Sequence, residues 1–419
     1  MKTNSDEMHN QEMLLKKIRQ SSEVFDKLAN SYEVWVPESG LLAGRRNRDK
    51  NDSKRKNLTD WSILSFLLEI DNCHYPMADS YLQYGIDGVI RIAAETLETL
   101  KNNLQSELQD QTQLDIAYLE SLLHVWKRFR QFVADHMVLA LECVKQETSD
   151  TKKKRYEKIA KICQNLTINK PNTFCEALQL FWFTYLFRSP FGAGCIGRLD
   201  QLLYPFYKHD CEMGIWDQQE AEKMLEEMFT RMNEINTGDT LRNLMLSGQD
   251  AKGNDQTNEI TYLILVAYEN TGGSEPHLNV RFHEKTPKKL RDNCINMLSS
   301  GSGQPTIYFD EAVLPAMEKA GICHEDACQY ANDGCTETVI AGKSAIVFWQ
   351  YEMVKTVELT LFGGNENPCV KPVSMKKNSI HGVDFVPKTN LLIGIESKKT
   401  QELTTFSEFL SAFFEQMDH

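Results

Sequence analysis

Residues 178–187 read Leu-Gln-Leu-Phe-Trp-Phe-Thr-Tyr-Leu-Phe, a run that is apolar nearly all the way round when wound as a helix. Such a helix has no face to offer water and must be buried on every side. Thr173 and Glu176 stand at capping-box spacing just before it, so the helix opens there. A large domain has to surround it. The chain is long enough: 419 residues suggest two or three domains and can bury a sizeable core without covalent staples. With 41% hydrophobic and 25% charged residues, disordered and fibrous classes are excluded.

Charge narrows the partners. Lys and Arg total 46 against 59 Asp and Glu, a net charge of −13, which argues against a phosphate-backbone ligand and so against nucleic acid. There is no apolar run long enough to span a membrane, and the first residues lack the apolar core of a signal peptide; a soluble, cytoplasmic protein without a membrane partner is expected. The 11 cysteines are scattered from Cys73 to Cys369 without any C-x-x-C pair. That spacing suits free thiols in a reducing compartment better than disulfides or zinc. The His209-Asp210-Cys211 run and His324-Glu325 lack ligand partners at helical spacing, so no metal is expected.

Along the chain, residues 1–60 form a polar N-terminal arm. A basic stretch from Gly44 to Lys56, interrupted by Asp49 and Asp52, reads as a solvated loop. From 61 to 190 the spacing is helical, as in Ile86, Val89, Ile90, Ala93 and Leu97, and again in Leu119, Leu122, Leu123, Trp126 and Phe129. Asp217 and Glu220 open another helix. Beyond residue 240, His277–Phe282 and Pro305–Phe309 read as strands. Thr405 and Glu408 cap a final helix whose Phe406, Phe409, Leu410, Phe413, Phe414 and Met417 share one face.

The stretch Tyr330-Ala-Asn-Asp-Gly-Cys-Thr-Glu-Thr338 carries the sharpest chemical signal. Asp333 and Gly334 mark a turn, which puts Cys335 at the tip of a connection. In extended chain, residues two apart point the same way, so Cys335 and Glu337 can face one cavity. A thiolate nucleophile wants a cationic neighbour; an acidic one favours the protonated thiol, which suits loss of a hydrogen atom. A buried structural cysteine is the competing reading of these residues alone.

This stretch resembles the Gly-Cys-x-Glu loop of glycyl radical enzymes, in their dehydratase, lyase and decarboxylase branch. Further segments resemble the same family in order and spacing: Gly197-Arg198-x-Asp200-Gln201 with Tyr204-Pro205, Thr257-Asn258-Glu259 before an apolar helix, Leu278–Phe282 before Thr286-Pro287, Pro305 to Gly321, and Ala341-Gly342-Lys343. The resemblance implies an α/β fold, an incomplete ten-stranded barrel wrapped by helices: a helical layer over 61–190, then a half-barrel with the cysteine loop over 191–419. It implies that Cys335 carries a thiyl radical and that Glu337 acts as general acid/base. No R-V-x-G-[YF] segment, the family's radical glycine site, occurs in these residues. A cofactor bound by this chain is therefore not expected. The glycyl radical would be supplied in trans by a second, glycine-bearing C-terminal polypeptide, after activation by a radical-SAM activating enzyme. A relative that never receives a radical, or a truncated product, are the alternatives.

Matched positions also bear on a small-molecule substrate. The places of a His-Ser pair in diol dehydratases hold Gly192 and Ala193, and a polyol-binding Asp corresponds to Trp349. Losing these anchors would leave a polyol's hydroxyls unpaired, so a larger or less polar substrate such as an arylacetate is expected. His74 lies near where family members place a substrate-facing histidine; a structural histidine is the other reading.

Overall fold

The computed structural model describes residues 4–45, 78–102, 110–188, 195–234, 242–272, 275–334, 337–344, 353–362, 379–380, 383–384 and 405–418. The chain forms two compact units, Met1–Ile346 and Val347–His419.

The first unit begins with helices α1 (Asn4–Ser31), α2 (Ala78–Asn102), α3 (Asp110–Gln146), α4 (Asp150–Ile168) and α5 (Phe174–Arg188). Helix α3 packs against α1, α2 and α4. Helix α5 is the all-apolar run, and it is buried as its composition requires. The predicted capping box is present: Glu176 N–H donates to Thr173 Oγ1 at 3.3 Å, and the Glu176 carboxylate accepts from Thr173 N at 3.3 Å. Phe183 and Phe187 stack edge-on to Phe132 of α3, with centroids 5.6 and 4.8 Å away, a geometry that ring quadrupoles favour.

The N-terminal arm is more ordered than its polarity suggests. Helix α1 packs on α3, and Leu41, Leu42 and Ala43 are buried. Two polar side chains of α5 explain how. Gln179 exchanges two hydrogen bonds with Ala43, at 2.7 and 3.0 Å, and the Trp182 indole donates to Gly44 O at 2.9 Å. Glu227 accepts from Leu41 N and Leu42 N at 3.2 and 2.9 Å. Side chains thus satisfy a buried stretch of backbone that no strand pairs. Of the basic stretch, only Gly44 and Arg45 lie among the described residues.

Helices α6 (Leu199–Glu212) and α7 (Gln218–Glu234) lead into strand β1 (Asn243–Ser247). Helix α8 (Glu259–Thr271) connects to β2 (His277–Phe282), and α9 (Lys288–Ser299) to β3 (Thr306–Phe309). The strands form a parallel sheet in the order β1-β2-β3, and Gly197 bridges to Leu244 in parallel on β1. The expected barrel is therefore matched in part: among the described residues the parallel sheet has three strands and one bridging segment, not ten strands. Helices α10 (Asp310–Lys319) and α11 (His324–Ala327) then lead to an antiparallel hairpin, β4 (Ala331–Asp333) and β5 (Glu337–Val339).

Alternation along the parallel strands gives the sheet two different faces. Leu244, Leu246, Leu278 and Val280 belong to the large core shared with the helices. Met245 instead joins a second cluster with Leu314, Cys328, Tyr330 and Ala331, on the hairpin side. Asn243, Ser247, Asn279 and Arg281 share that register parity and are buried too.

In the second unit, α12 (Met353–Leu361) packs on α13 (Phe406–Asp418), and two-residue strands β6 (Ser379–Ile380) and β7 (Val383–Asp384) pair antiparallel. The Thr405/Glu408 capping box is present, with both bonds at 3.0–3.2 Å.

One buried acid is out of balance. Glu275, just before β2, is buried, and its carboxyl has no hydrogen-bond partner among the described residues. Burial pushes it up to about 7 from 4.5, and the Arg242 guanidinium pulls it part of the way back. An acid whose pKa is raised by folding favours the folded state below its unfolded value, and that contribution is lost as pH rises through the folded value. Between about pH 5 and about pH 8 the wild type should lose thermal stability more steeply than Glu275→Gln. Melting curves at both pH values test this; parallel pH profiles for the two proteins would refute it.

Candidate functional site

The hairpin sits against the polar parity of the sheet, and each of its ends is gripped differently. At its base stands Arg281 of β2. Its Nε and Nη2 donate to the two carboxylate oxygens of Asp310, both at 2.8 Å, and both side chains are 0% exposed. Its Nη1 donates to Cys328 O at 2.9 Å and Tyr330 O at 3.3 Å. The guanidinium lies 4.0 Å from the Tyr330 ring centre, and the Tyr330 hydroxyl donates to Asp310 Oδ1 at 3.0 Å. Burial raises the Tyr330 phenol well above its ordinary range, so it remains a donor. Gln249 N completes the shell of Asp310 at 3.0 Å. A desolvated ion pair is tolerable only when its lone pairs and protons are satisfied in this way.

The Gly-Arg-x-Asp-Gln segment supplies a second clamp beside the first. Arg198 Nη1 donates to Cys328 O at 3.3 Å and to Gln329 Oε1 at 3.2 Å; Nη2 donates to Ser247 O at 2.9 Å. Asp200 Oδ2 accepts from Ser247 N at 2.8 Å and from the Thr261 hydroxyl at 2.7 Å. Burial raises the Asp200 carboxyl, and the Arg198 charge opposes that shift. Both backbone groups of Ser247 are thus tied down, which accounts for its left-handed φ of 62°, a conformation costly for serine unless its surroundings impose it. Gly248 follows at φ 99°, where an added Cβ would fall 2.4 Å from Arg281 Nε. The predicted Thr257-Asn258-Glu259 segment caps α8: Asn258 Oδ1 accepts from Ile260 N and Thr261 N at 2.9 and 3.2 Å.

The far end of the hairpin meets the beginnings of the strands. Asn332 Nδ2 donates to Asn243 Oδ1 at 3.0 Å and to the Tyr308 hydroxyl at 3.3 Å. Asn243 Nδ2 donates to Gly334 O at 2.7 Å. The hairpin therefore runs opposite to the parallel strands, from their carboxyl ends at Ser247 and Arg281 to their amino ends at Asn243.

The strand register pairs Asp333 with Glu337, and Gly334, at the turn, is the last described residue before Cys335. Gly334 has φ +55°, and a Cβ there would lie 2.3 Å from Glu337 Oε2. The Glu337 carboxylate therefore folds back against the residue immediately before Cys335. Glycine is favoured at 334 for its left-handed conformation. Of the predicted site residues, Glu337 is described and lies at this turn. Cys335, His74, Gly192, Ala193 and Trp349 lie outside the described residues.

Sequence reasoning missed Asn243, Asp310, Tyr330 and Asn332 as site-building residues. One signal was available in His277-Leu-Asn-Val-Arg-Phe282. In a parallel sheet both faces are buried, so polar residues on alternate positions mark an interior lined for contacts. Among the described residues no three His, Cys, Asp or Glu side chains are grouped to hold a metal ion, and no helix is long and apolar enough to cross a membrane.

Removing the anchor should loosen the hairpin. Asp310→Ala leaves Arg281 buried without its counter-charge and should cost about 3–5 kcal/mol, read as a lower urea midpoint. A midpoint equal to the wild type would show that the ion pair does not anchor this region.

The architecture and sequence have relatives. The family model described as pyruvate formate lyase-like matches residues 72–419. The trans-4-hydroxy-L-proline dehydratase of Clostridioides difficile is 30% identical over 298 residues, covering 67% of this chain and 35% of that protein. The isethionate sulfite-lyase of Nitratidesulfovibrio vulgaris is 32% identical over 237 residues, covering 52% of this chain and 29% of its own. The glycerol-bound B12-independent glycerol dehydratase from Clostridium butyricum superposes with a TM-score of 0.72 at 20% identity, covering 98% of this chain and 62% of that one. The chain spans about a third of the length of the curated relatives it matches. With a hairpin held against a parallel sheet and a family match over residues 72–419, the chain belongs to the pyruvate formate lyase-like family of glycyl radical enzymes.

Proposed function

We propose that this chain carries the thiyl-bearing site of a glycyl radical lyase, dehydratase or decarboxylase acting on a small organic substrate. The observation that carries the proposal is the turn at Gly334, where the Glu337 carboxylate lies against the residue that precedes Cys335. A hydrogen-atom carrier and a proton carrier at one turn are what radical elimination needs. A glycyl radical takes the hydrogen atom from Cys335 Sγ, and the resulting thiyl takes one from a substrate carbon. Glu337 moves a proton as the neighbouring bond breaks. The product radical then recovers its hydrogen from the Cys335 thiol.

We place the starting radical on a glycine outside residues 1–419. A second polypeptide is its proposed source, charged by a radical-SAM activase in a reducing cytoplasm. Gly192, Ala193 and Trp349, with His74, are the proposed substrate contacts. They favour a larger, less polar substrate over a polyol, whose hydroxyls would find no partners there.

Cys335→Ala and Cys335→Ser should abolish turnover in the activated complex and leave the fold intact, because a serine O–H bond is too strong for a glycyl radical to break. Turnover retained in either variant would end the thiyl assignment. Glu337→Gln should preserve the glycyl radical signal in electron paramagnetic resonance while slowing product formation by about 10²–10⁴-fold. Normal turnover in that variant would make Glu337 structural. A chain that never supports turnover with any glycine-bearing partner would favour a binding or regulatory relative.

A further inference from the structure

We infer that Asn243 is a positioning residue that fixes the peptide link entering Cys335. This rests on Cys335 as the hydrogen carrier, and it adds a residue outside the sequence motifs.

The argument starts from which oxygen Asn243 holds. Its Nδ2 donates to Gly334 O at 2.7 Å, the shortest bond in the cluster around it. That carbonyl belongs to the peptide group whose nitrogen is the Cys335 nitrogen. A peptide group is planar, so a hydrogen bond to its oxygen orients the link into Cys335. Gly334 needs such a restraint more than most residues. Its left-handed φ of +55° is open to glycine along with several alternatives, and glycine pays the largest entropy for being fixed.

Asn243 is itself held. Its Oδ1 accepts from Asn279 Nδ2 at 3.2 Å and from Asn332 Nδ2 at 3.0 Å. Asn279 Nδ2 also donates to His277 O at 3.0 Å, and Asn332 Nδ2 to the Tyr308 hydroxyl. All three asparagines are buried. Both donors into Oδ1 fix the amide so that its NH2 can only point toward Gly334. The chain of amides spans β1 and β2, touches the Tyr308 hydroxyl of β3 and ends on the hairpin, so the sheet sets the orientation of the turn. Geometry at the hydrogen carrier matters because abstraction requires the reacting atoms in a near-attack arrangement.

Asn243→Asp isolates this contact. At a pH high enough to ionise it, the new carboxylate keeps an acceptor for Asn279 and Asn332 and has nearly the same size, but it has no donor for Gly334 O. Losing a hydrogen bond to a buried acceptor should speed hydrogen exchange across residues 331–339, and site-resolved alkylation of Cys335, by roughly tenfold. Exchange elsewhere in the sheet should stay as in the wild type. In the activated complex kcat should fall while KM and the amplitude of the glycyl radical signal hold. Asn279→Ala removes only one of the donors into Oδ1 and leaves the Gly334 bond, so its effect on exchange should be smaller. Unchanged exchange in Asn243→Asp, loosening spread over the whole sheet, or an equal effect from Asn279→Ala would each overturn the inference. The exchange and alkylation readouts need no radical, so they stand or fall separately from turnover in the Cys335 variants.

Discussion

Everything at the hairpin depends on a charge that has no contact with water. Arg281 and Asp310 are both fully buried, and two unpaired charges in that position would be far too costly to keep. The structure meets the cost by using the pair to hold its surroundings as well as each other: the carbonyls of Cys328 and Tyr330, the hydroxyl of Tyr330 and the backbone amide of Gln249. A Lys in place of Arg281 could not reproduce the fork, since an ammonium is a point donor and a guanidinium a planar one. The pair is therefore better understood as a device for location than for stability.

That device is needed because the hairpin is not a member of the main sheet. The parallel strands position one another through backbone ladders. Among the described residues the hairpin's strands pair with each other and not with the parallel sheet, so side chains set its place on the sheet. Arginines do this at the carboxyl ends of the strands and asparagines at the amino ends. The outward parity of the same strands is ordinary aliphatic core. One set of strands thus separates a packing face from a chemical face by nothing more than alternation.

Local signals made much of this legible in advance. The capping boxes at Thr173 and Thr405, the strand at His277–Phe282 and the turn at Gly334 involve residues within a few positions of each other, and all stand in the structure as expected. The contacts that build the site are long-range: Asp200 meets Thr261, Arg281 meets Cys328, and Asn243 meets Gly334 across 91 positions. No spacing rule reaches that far. The segment 41–43 was opaque for another reason. Three apolar residues carry no measurable period, and what buries them is a glutamine and a glutamate on other helices.

That small segment separates two kinds of boundary. The family match begins at residue 72, whereas the packing of α5 begins thirty residues earlier, where Leu41 to Gly44 lie over Gln179 and Trp182. A fragment cut at residue 72 would bare the flank of the all-apolar helix α5. It would also orphan the Gln179 amide and the Trp182 indole in a setting that offers them little water. The unit that folds is larger than the span the family model matches, and expression or design on this scaffold has to respect the former.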